Sequence, residues 1–240
     1  VKDPDQLGSA EEMLALLDRA SSLQTKSRSW YRLRALLVDD KATAEEMDRL
    51  ENHPDTPTTV LDDFLEGEQY RTGWLGQPGA AQPDLDEAIR RYRRALEEDP
   101  KHYWAHFQLG RCYLSKGRGT EAVEVLGTCV ALRPDSPWSY STRGLAQALL
   151  GFAEMDKARR ADWFAKAHSD LDVAMKLDPE FVPAILNRGV SYWLQRKYAE
   201  ALIDFRAVGG SEAPYYRGMV HLDQGQTQNA QQAFDRAIER

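Results

Sequence analysis

The sequence predicts an all-α fold built of antiparallel helix pairs repeated along the chain. Three observations carry this expectation. A small residue is followed twelve places later by alanine three times over, from Gly110 to Ala122, Gly189 to Ala201 and Gly218 to Ala230. Behind each alanine come a bulky residue four places on and a smaller one three further: Ala122, Leu126, Cys129; Ala201, Phe205, Val208; and Ala230, Phe234, Ala237. Such offsets place all three residues on one helix face. Proline then recurs at Pro100, Pro134 and Pro179, where it ends a helix because it cannot continue the hydrogen-bond ladder. Glycine on the first helix and alanine on the second let two backbones approach closely, and the bulky residue fills the space beside them.

Residues 1–59 are the least regular part. Ser9 followed by Glu12 makes a capping box that opens a helix to about Leu23. Met13, Leu17 and Ala20 repeat the offsets of a second repeat helix. Tyr31, Ala35 and Val38 fall on the next expected helix, Thr43 to Glu51 on a short third, and His53 to Thr59 in a loop with Pro54 and Pro57. This segment reads as a degenerate, repeat-like N-terminal cap.

From residue 60 to 240 the pattern predicts five helix pairs, at about 60–102, 103–136, 137–181, 182–210 and 211–240. Their alanines, Ala88, Ala122, Ala167, Ala201 and Ala230, stand 34, 45, 34 and 29 residues apart. In the first pair, Gly67 and Tyr70 mark the first helix and Ala88, Tyr92 and Ala95 the second. Its interval is nine residues too long, and Gly76 to Pro83 reads as a floppy loop. The third pair runs 23 residues from Gly144 to Ala167, eleven beyond the standard. That excess, Gly151 to Lys166, lacks proline and carries Met155, Ala158, Trp163 and Phe164 among charges. It is expected to lengthen both helices into a protruding hairpin. The fourth pair keeps Gly189, Tyr192, Ala201 and Phe205, then loses the end of its second helix at Gly209-Gly210.

A basic period of 34 residues, with Leu109-Gly110, Tyr113, Ala122, Leu126, Cys129 and Pro134 in its best copy, resembles the tetratricopeptide repeat. The resemblance covers residues 60–240 well and 9–59 poorly. It implies a right-handed superhelical α-solenoid and a non-catalytic protein-interaction scaffold. In that family the first helix of each pair lines a concave face that holds an extended peptide or a partner helix. The resemblance places Trp104, Phe107, Gln108 and Arg111 there, followed by Trp138, Ser141, Thr142 and Leu145. Leu186, Asn187, Val190 and Trp193 come next, and Tyr215, Tyr216 and Met219 complete the face. Trp104, Phe107 and Trp193 are the expected aromatic anchors. Some members bind a C-terminal carboxylate through lysines, asparagines and an arginine; only Asn187 and Arg111 resemble that set, so a carboxylate clamp is not expected.

The runs from His102 to Leu109 and from Trp138 to Gly144 are also similar to repeat regions that follow the kinase domains of some bacterial eukaryotic-type serine/threonine kinases. That implies, as an alternative, a regulatory or substrate-docking arm of a larger enzyme. The chain itself has no glycine-rich loop, H-R-D or D-F-G segment. A further alternative is homo-oligomerisation through the C-terminal stacking face, because the last pair stops at Arg240 without a polar capping helix.

Composition and motifs narrow the function classes. Of 240 residues, 31 are basic and 38 acidic, a net charge of −7 that argues against a nucleic-acid partner. No apolar run approaches the roughly 18 residues needed to span a bilayer. The start, Val1-Lys2-Asp3-Pro4-Asp5, has no signal-peptide character, so a cytoplasmic protein is expected, and Val in place of Met suggests an excised region of something longer. Cys112 and Cys129 are too few for a disulfide framework and read as small core hydrophobes. Gly110 to Thr120 superficially resembles a phosphate loop, but Lys116 precedes Gly117 within a helical unit, which makes it a turn. The five histidines show no metal-ligand spacing, and His106 and His221 occupy aromatic packing positions of the repeat. Arg90, Arg91, Arg93 and Arg94 bracket the core residue Tyr92 and are expected on a solvated face. No catalytic constellation, metal site or cofactor site is expected; the expected partner is a protein or peptide.

Overall fold

Helices form where the alanine-led sets fall, and they stop two residues ahead of the prolines. A computed structural model of the protein describes residues 31, 46, 49, 50, 59–72, 84–210 and 212–238. The helices of 59–238 are α1 (Val60–Thr72), α2 (Leu85–Glu98), α3 (Tyr103–Ser115), α4 (Gly119–Leu132), α5 (Pro137–Ala153), α6 (Lys157–Leu177), α7 (Val182–Leu194), α8 (Tyr198–Ala207), α9 (Glu212–Asp223) and α10 (Thr227–Ile238). Among the described residues there is no strand, and the predicted all-α class of paired helices holds. The expected N-terminal capping-box helix and the loop Gly76 to Pro83 lie outside the described residues. The chain divides into two compact units, Val1–Ala105 and His106–Arg240.

In the first unit α1 packs on α2. Asp84 caps α2, its side chain accepting from the amides of Asp86 and Glu87 at 3.1 and 3.0 Å. Ala88, Tyr92 and Ala95 are fully buried. A Cβ added to Gly67 would stand 2.6 Å from the Tyr92 ring, as the expected pairing across the longer interval requires. The Tyr92 hydroxyl donates to Glu68 at 2.5 Å. The arginine stretch of α2 departs from the expected solvated face. Arg91 is not on a solvated face: it reaches Glu66 at 2.6 Å and Glu87 at 2.9 Å, and Arg94 reaches the buried Asp63 at 3.2 Å. These arginines tie α2 to α1, and burial raises the Asp63 carboxyl above its usual range despite them.

In the second unit the pairs α5–α6, α7–α8 and α9–α10 follow one another, with α7 packed on α5, α6, α8 and α9. The markers Ala122, Leu126, Ala167, Leu171, Ala201 and Phe205 are fully buried. Cβ atoms built on Gly110 and Gly144 would stand 2.7 and 2.9 Å from Leu126 and Leu171. The excess between Gly151 and Lys166 is helical, as expected: α5 has 17 residues, α6 has 21, and only Glu154 to Asp156 separate them. Asp156 caps α6 by accepting from the Arg159 amide at 2.8 Å. Phe164 is buried at the root of this hairpin, whereas Phe152 and Met155 are 61% and 87% exposed.

Three turns within pairs share one geometry. The amides of Arg118, Lys197 and Gln226 donate to the carbonyls of Tyr113, Tyr192 and His221 at 2.8, 2.9 and 2.8 Å. The preceding residue is left-handed in each case: Gly117 at φ 69°, Arg196 at 61° and Gly225 at 72°. The phosphate-loop lookalike is therefore such a turn. Arg118 lies 4.6 Å over the Tyr113 ring.

Candidate functional site

Burial divides the residues of the first helices sharply. Phe107, Ser141, Leu186 and Val190 are buried, at 3, 1, 7 and 7% exposure. They were expected to face a partner; they face the inside instead. Phe107 sits edge-on to Trp138 at 6.3 Å. Leu186 and Val190 join Ala201, Phe205, Ala213 and Val220 in one core cluster, with Leu145 packed against it. Ser141 is held by Asn187, whose amide donates to its hydroxyl at 2.9 Å and its carbonyl at 3.2 Å. Asn187 thus joins α7 to α5, a structural task that leaves its carboxamide nitrogen occupied.

The remaining residues keep some surface. Trp138 is 45% exposed, its ring fixed edge-on against Phe181 at 4.9 Å. Thr142 is half-buried one turn along the same helix. Trp193 is half-buried, and its indole N–H donates to Asp223 at 2.7 Å, which fixes α7 to the end of α9. Tyr216 stacks on Phe205 at 5.2 Å and lies 6.5 Å from Trp193; burial pushes its hydroxyl above the ordinary tyrosine value. Tyr215 is 49% exposed and meets Tyr216 edge-on at 5.6 Å. Met219 is half-buried. On α3, Arg111 is exposed and donates to the half-buried Gln108 at 3.2 Å. In the first unit, Trp104 is half-buried and edge-on to Tyr103 at 5.0 Å. The structure thus groups Trp193, Tyr215 and Tyr216 in one aromatic cluster and Trp138 with Phe107 and Phe181 in another.

Ion pairs missed by sequence reading brace the helix pairs of this surface. Arg143 makes a two-pronged contact with Asp170, both bonds 2.7 Å, and Arg188 does the same with Asp204 at 2.9 and 2.6 Å. Each arginine precedes a marker glycine and each aspartate precedes the bulky residue that covers it, so a signal was present one place ahead of the markers. Bidentate pairing fixes orientation as well as distance. Neither cysteine belongs to this surface: both are buried, and desolvation pushes the Cys129 thiol up to about 12, so it stays protonated. Among the described residues no group of three His, Cys, Asp or Glu side chains is placed to hold a metal ion, and no helix is long and apolar enough to cross a membrane.

Comparison with known proteins agrees with this geometry. Residues 80–141 and residues 212–240 each match a family model described as tetratricopeptide repeat. Tetratricopeptide repeats are thus recognised over these two stretches. The chain is similar to a thermophilic tetratricopeptide-repeat protein of Thermus thermophilus, at 25% identity and a TM-score of 0.66, over 75% of this chain and 91% of that one. It is also similar in fold to the APC/C hetero-tetramer Cut9–Hcn1, at 14% identity and a TM-score of 0.60, over 96% of this chain and 43% of that one. A stretch of 119 residues is 29% identical to Superkiller complex protein 3 of Mus musculus. That stretch is 50% of this chain but spans only 7% of the mouse protein. None of these three is a kinase by name, and the kinase context expected from motif order gains no support. Repeats of this type are generally non-catalytic scaffolds.

Proposed function

We propose that this chain is a non-catalytic scaffold that holds a partner's extended segment or helix against the first helices of its pairs. In the second unit the contact is assigned to Trp138, Thr142, Tyr215, Tyr216 and Met219, flanked by Gln108 and Arg111. The observation that carries this reading is Trp138, an indole 45% exposed yet fixed by Phe181 behind it. A rigid, half-exposed aromatic loses little conformational freedom on binding and offers a large apolar area, which is the character of an interface anchor. Trp193 is read as a support, because Asp223 holds its indole nitrogen. Trp104 stays assigned to the same role on the first unit. The buried Phe107 gives this role up to Trp138, which it supports from within.

The test begins with a partner isolated on the 240-residue chain and then compares affinity and melting temperature for Trp138→Ala, Tyr215→Ala and Phe152→Ala. Loss of affinity of at least about tenfold in the first two, with normal melting and with Phe152→Ala unaffected, is the expected result. Normal binding by both first-helix variants sinks the reading.

A further inference from the structure

The braces between helices stop short in the last pair. Arg143 and Arg188 each meet an aspartate that precedes the bulky marker, Asp170 and Asp204. In the last pair the arginine is kept as Arg217, before Gly218, but the aspartate position before Phe234 is Ala233. Ala233 is 6% exposed, and over it opens a cavity of about 250 Å³. The cavity is lined by Arg206 of α8, Arg217 and His221 of α9, and Asn229, Gln232 and Arg236 of α10. Three guanidiniums, an imidazole and two carboxamides line it, with His221 Nδ1 and the Asn229 amide each donating to Gln226 Oε1 at 2.8 and 3.1 Å, and no carboxylate is among the described lining residues.

Nearby acidic groups are turned to other tasks. Asp223 accepts from the Trp193 indole at 2.7 Å, Asp235 from the Gln231 amide at 2.7 Å, and Asp204 from Arg188. Arg217 is engaged within the chain. Arg206 and Arg236 have no carboxylate partner among the described residues. An acidic chain of net charge −7 therefore carries a small recess in which every charged side chain among the described lining residues is an arginine. Its volume is below the roughly 300–1,000 Å³ of pockets that enclose a whole small molecule, so it suits one charged group presented from outside. Several guanidiniums gathered in one recess match the oxygens of a dianionic phosphoryl group better than the two of a carboxylate.

We propose that this cavity is a phosphoryl-binding site that reads a phosphorylated segment of the protein partner. The phosphoryl group takes the place that Asp170 and Asp204 hold in the two preceding pairs. The partner half of this statement rests on the scaffold reading above; the phosphoryl half does not.

The probes are inorganic phosphate and three versions of one short alanine–glycine peptide, carrying a central phosphoserine, serine or glutamate. Nuclear magnetic resonance follows the His221 ring and the Asn229 and Gln232 carboxamides of the full chain, and anisotropy follows labelled peptide. Phosphate and phosphopeptide should both shift these signals, with serine and glutamate peptides at least about tenfold weaker. The double variant Arg206→Gln/Arg236→Gln should lose the phosphopeptide. Ala233→Asp should also lose it while melting no lower than the parent, because it installs the aspartate of the preceding pairs; this separates a filled site from a damaged fold. No shift at millimolar phosphate overturns the site. Equal binding of the glutamate peptide overturns its phosphoryl character. Phosphate binding without phosphopeptide binding overturns the partner half alone, whatever Trp138→Ala does.

Discussion

Gly189 lies directly against the ring of Phe205: a Cβ on the glycine would stand 2.6 Å from Cε1 and 2.9 Å from Cδ1. Sixteen residues separate the two, the sum of the twelve-residue step to Ala201 and the four-residue step onward. Phe205 is fully buried and cannot swing clear. Gly189→Ala should therefore destabilise the chain by about 1–3 kcal/mol, as overpacking does. Gly209 has nothing within 4 Å of its Cβ position, so Gly209→Ala should stay within about 0.5 kcal/mol. Urea denaturation of the two variants beside the parent checks the contrast.

Arg196 occupies a turn position where the equivalent residues are Gly117 and Gly225. At φ 61° its backbone bears a cost that glycine escapes. Arg196→Gly should raise stability by about 0.5–1 kcal/mol, and Gly117→Ala should lower it by about 1 kcal/mol. The measurement is the urea midpoint at unchanged m-value. Arg196→Gly leaving the midpoint unmoved or lower would contradict the strain argument.

Glu66 and Arg91 stand one residue ahead of Gly67 and Tyr92, as Arg143 and Asp170 stand ahead of Gly144 and Leu171, with the signs reversed. The register accepts either polarity, provided the charges are opposite. Asp170→Ala strands a partly buried guanidinium and should cost about 1.5–3 kcal/mol. Arg143→Glu combined with Asp170→Arg should regain most of that loss. A double-mutant cycle by denaturant titration measures the coupling; no recovery in the reversed pair would show that the site demands arginine on α5.

The contrast between markers and braces explains what was legible in the sequence. Gly189, Ala201 and Phe205 announce themselves because close backbone approach admits few residue types, and the pattern repeats in other pairs. Arg188 and Asp204 hold a regular place one residue ahead of these markers, but arginine and aspartate are common on exposed helix faces, so residue type alone does not separate a buried brace from a solvated charge. Arg196 hides for the opposite reason, since arginine is not a sequence sign of a left-handed residue. Burial of Leu186 and Val190, and exposure of Trp138, depend on how neighbouring pairs stack, which a one-pair motif does not encode. The basic recess draws on three helices and on the absence of an aspartate at Ala233, and no local spacing reports that.

His168 packs on Tyr192 with ring centres 4.6 Å apart, and its Nε2 accepts from the Gln195 amide at 2.9 Å. Burial first, then Lys197, lowers its pKa below the usual 6.5; Arg188 adds to this, while Asp172 and Asp204 oppose it. The folded state thus binds fewer protons than the unfolded one. Its contribution is complete above pH 6.5 and is lost as pH falls through 6.5 toward the folded value, at no more than about 1.4 kcal/mol per unit. Stability measured from neutrality downward should show this slope before the carboxylates titrate, and His168→Phe should flatten it. An unchanged slope in the variant assigns the effect to another group.

The hairpin formed by the ends of α5 and α6 separates a packed root from an exposed edge. Phe164 is 6% exposed and lies with Ala148, Ala167 and Leu194, while Phe152 on the facing helix end is 61% exposed. Their sizes are equal, so the difference in cost on truncation reports packing alone. Phe164→Ala should lose about 3–5 kcal/mol, from lost burial and the cavity left behind. Phe152→Ala should change stability by less than about 0.5 kcal/mol. Hydrogen exchange supplies the independent reading, because α6 residues near Phe164 should be protected nearly as well as those near Leu171. If Phe164→Ala melts like the parent, or the amides after Asp156 exchange at the rate of an open chain, the extra eleven residues are not folded onto the pair that carries them.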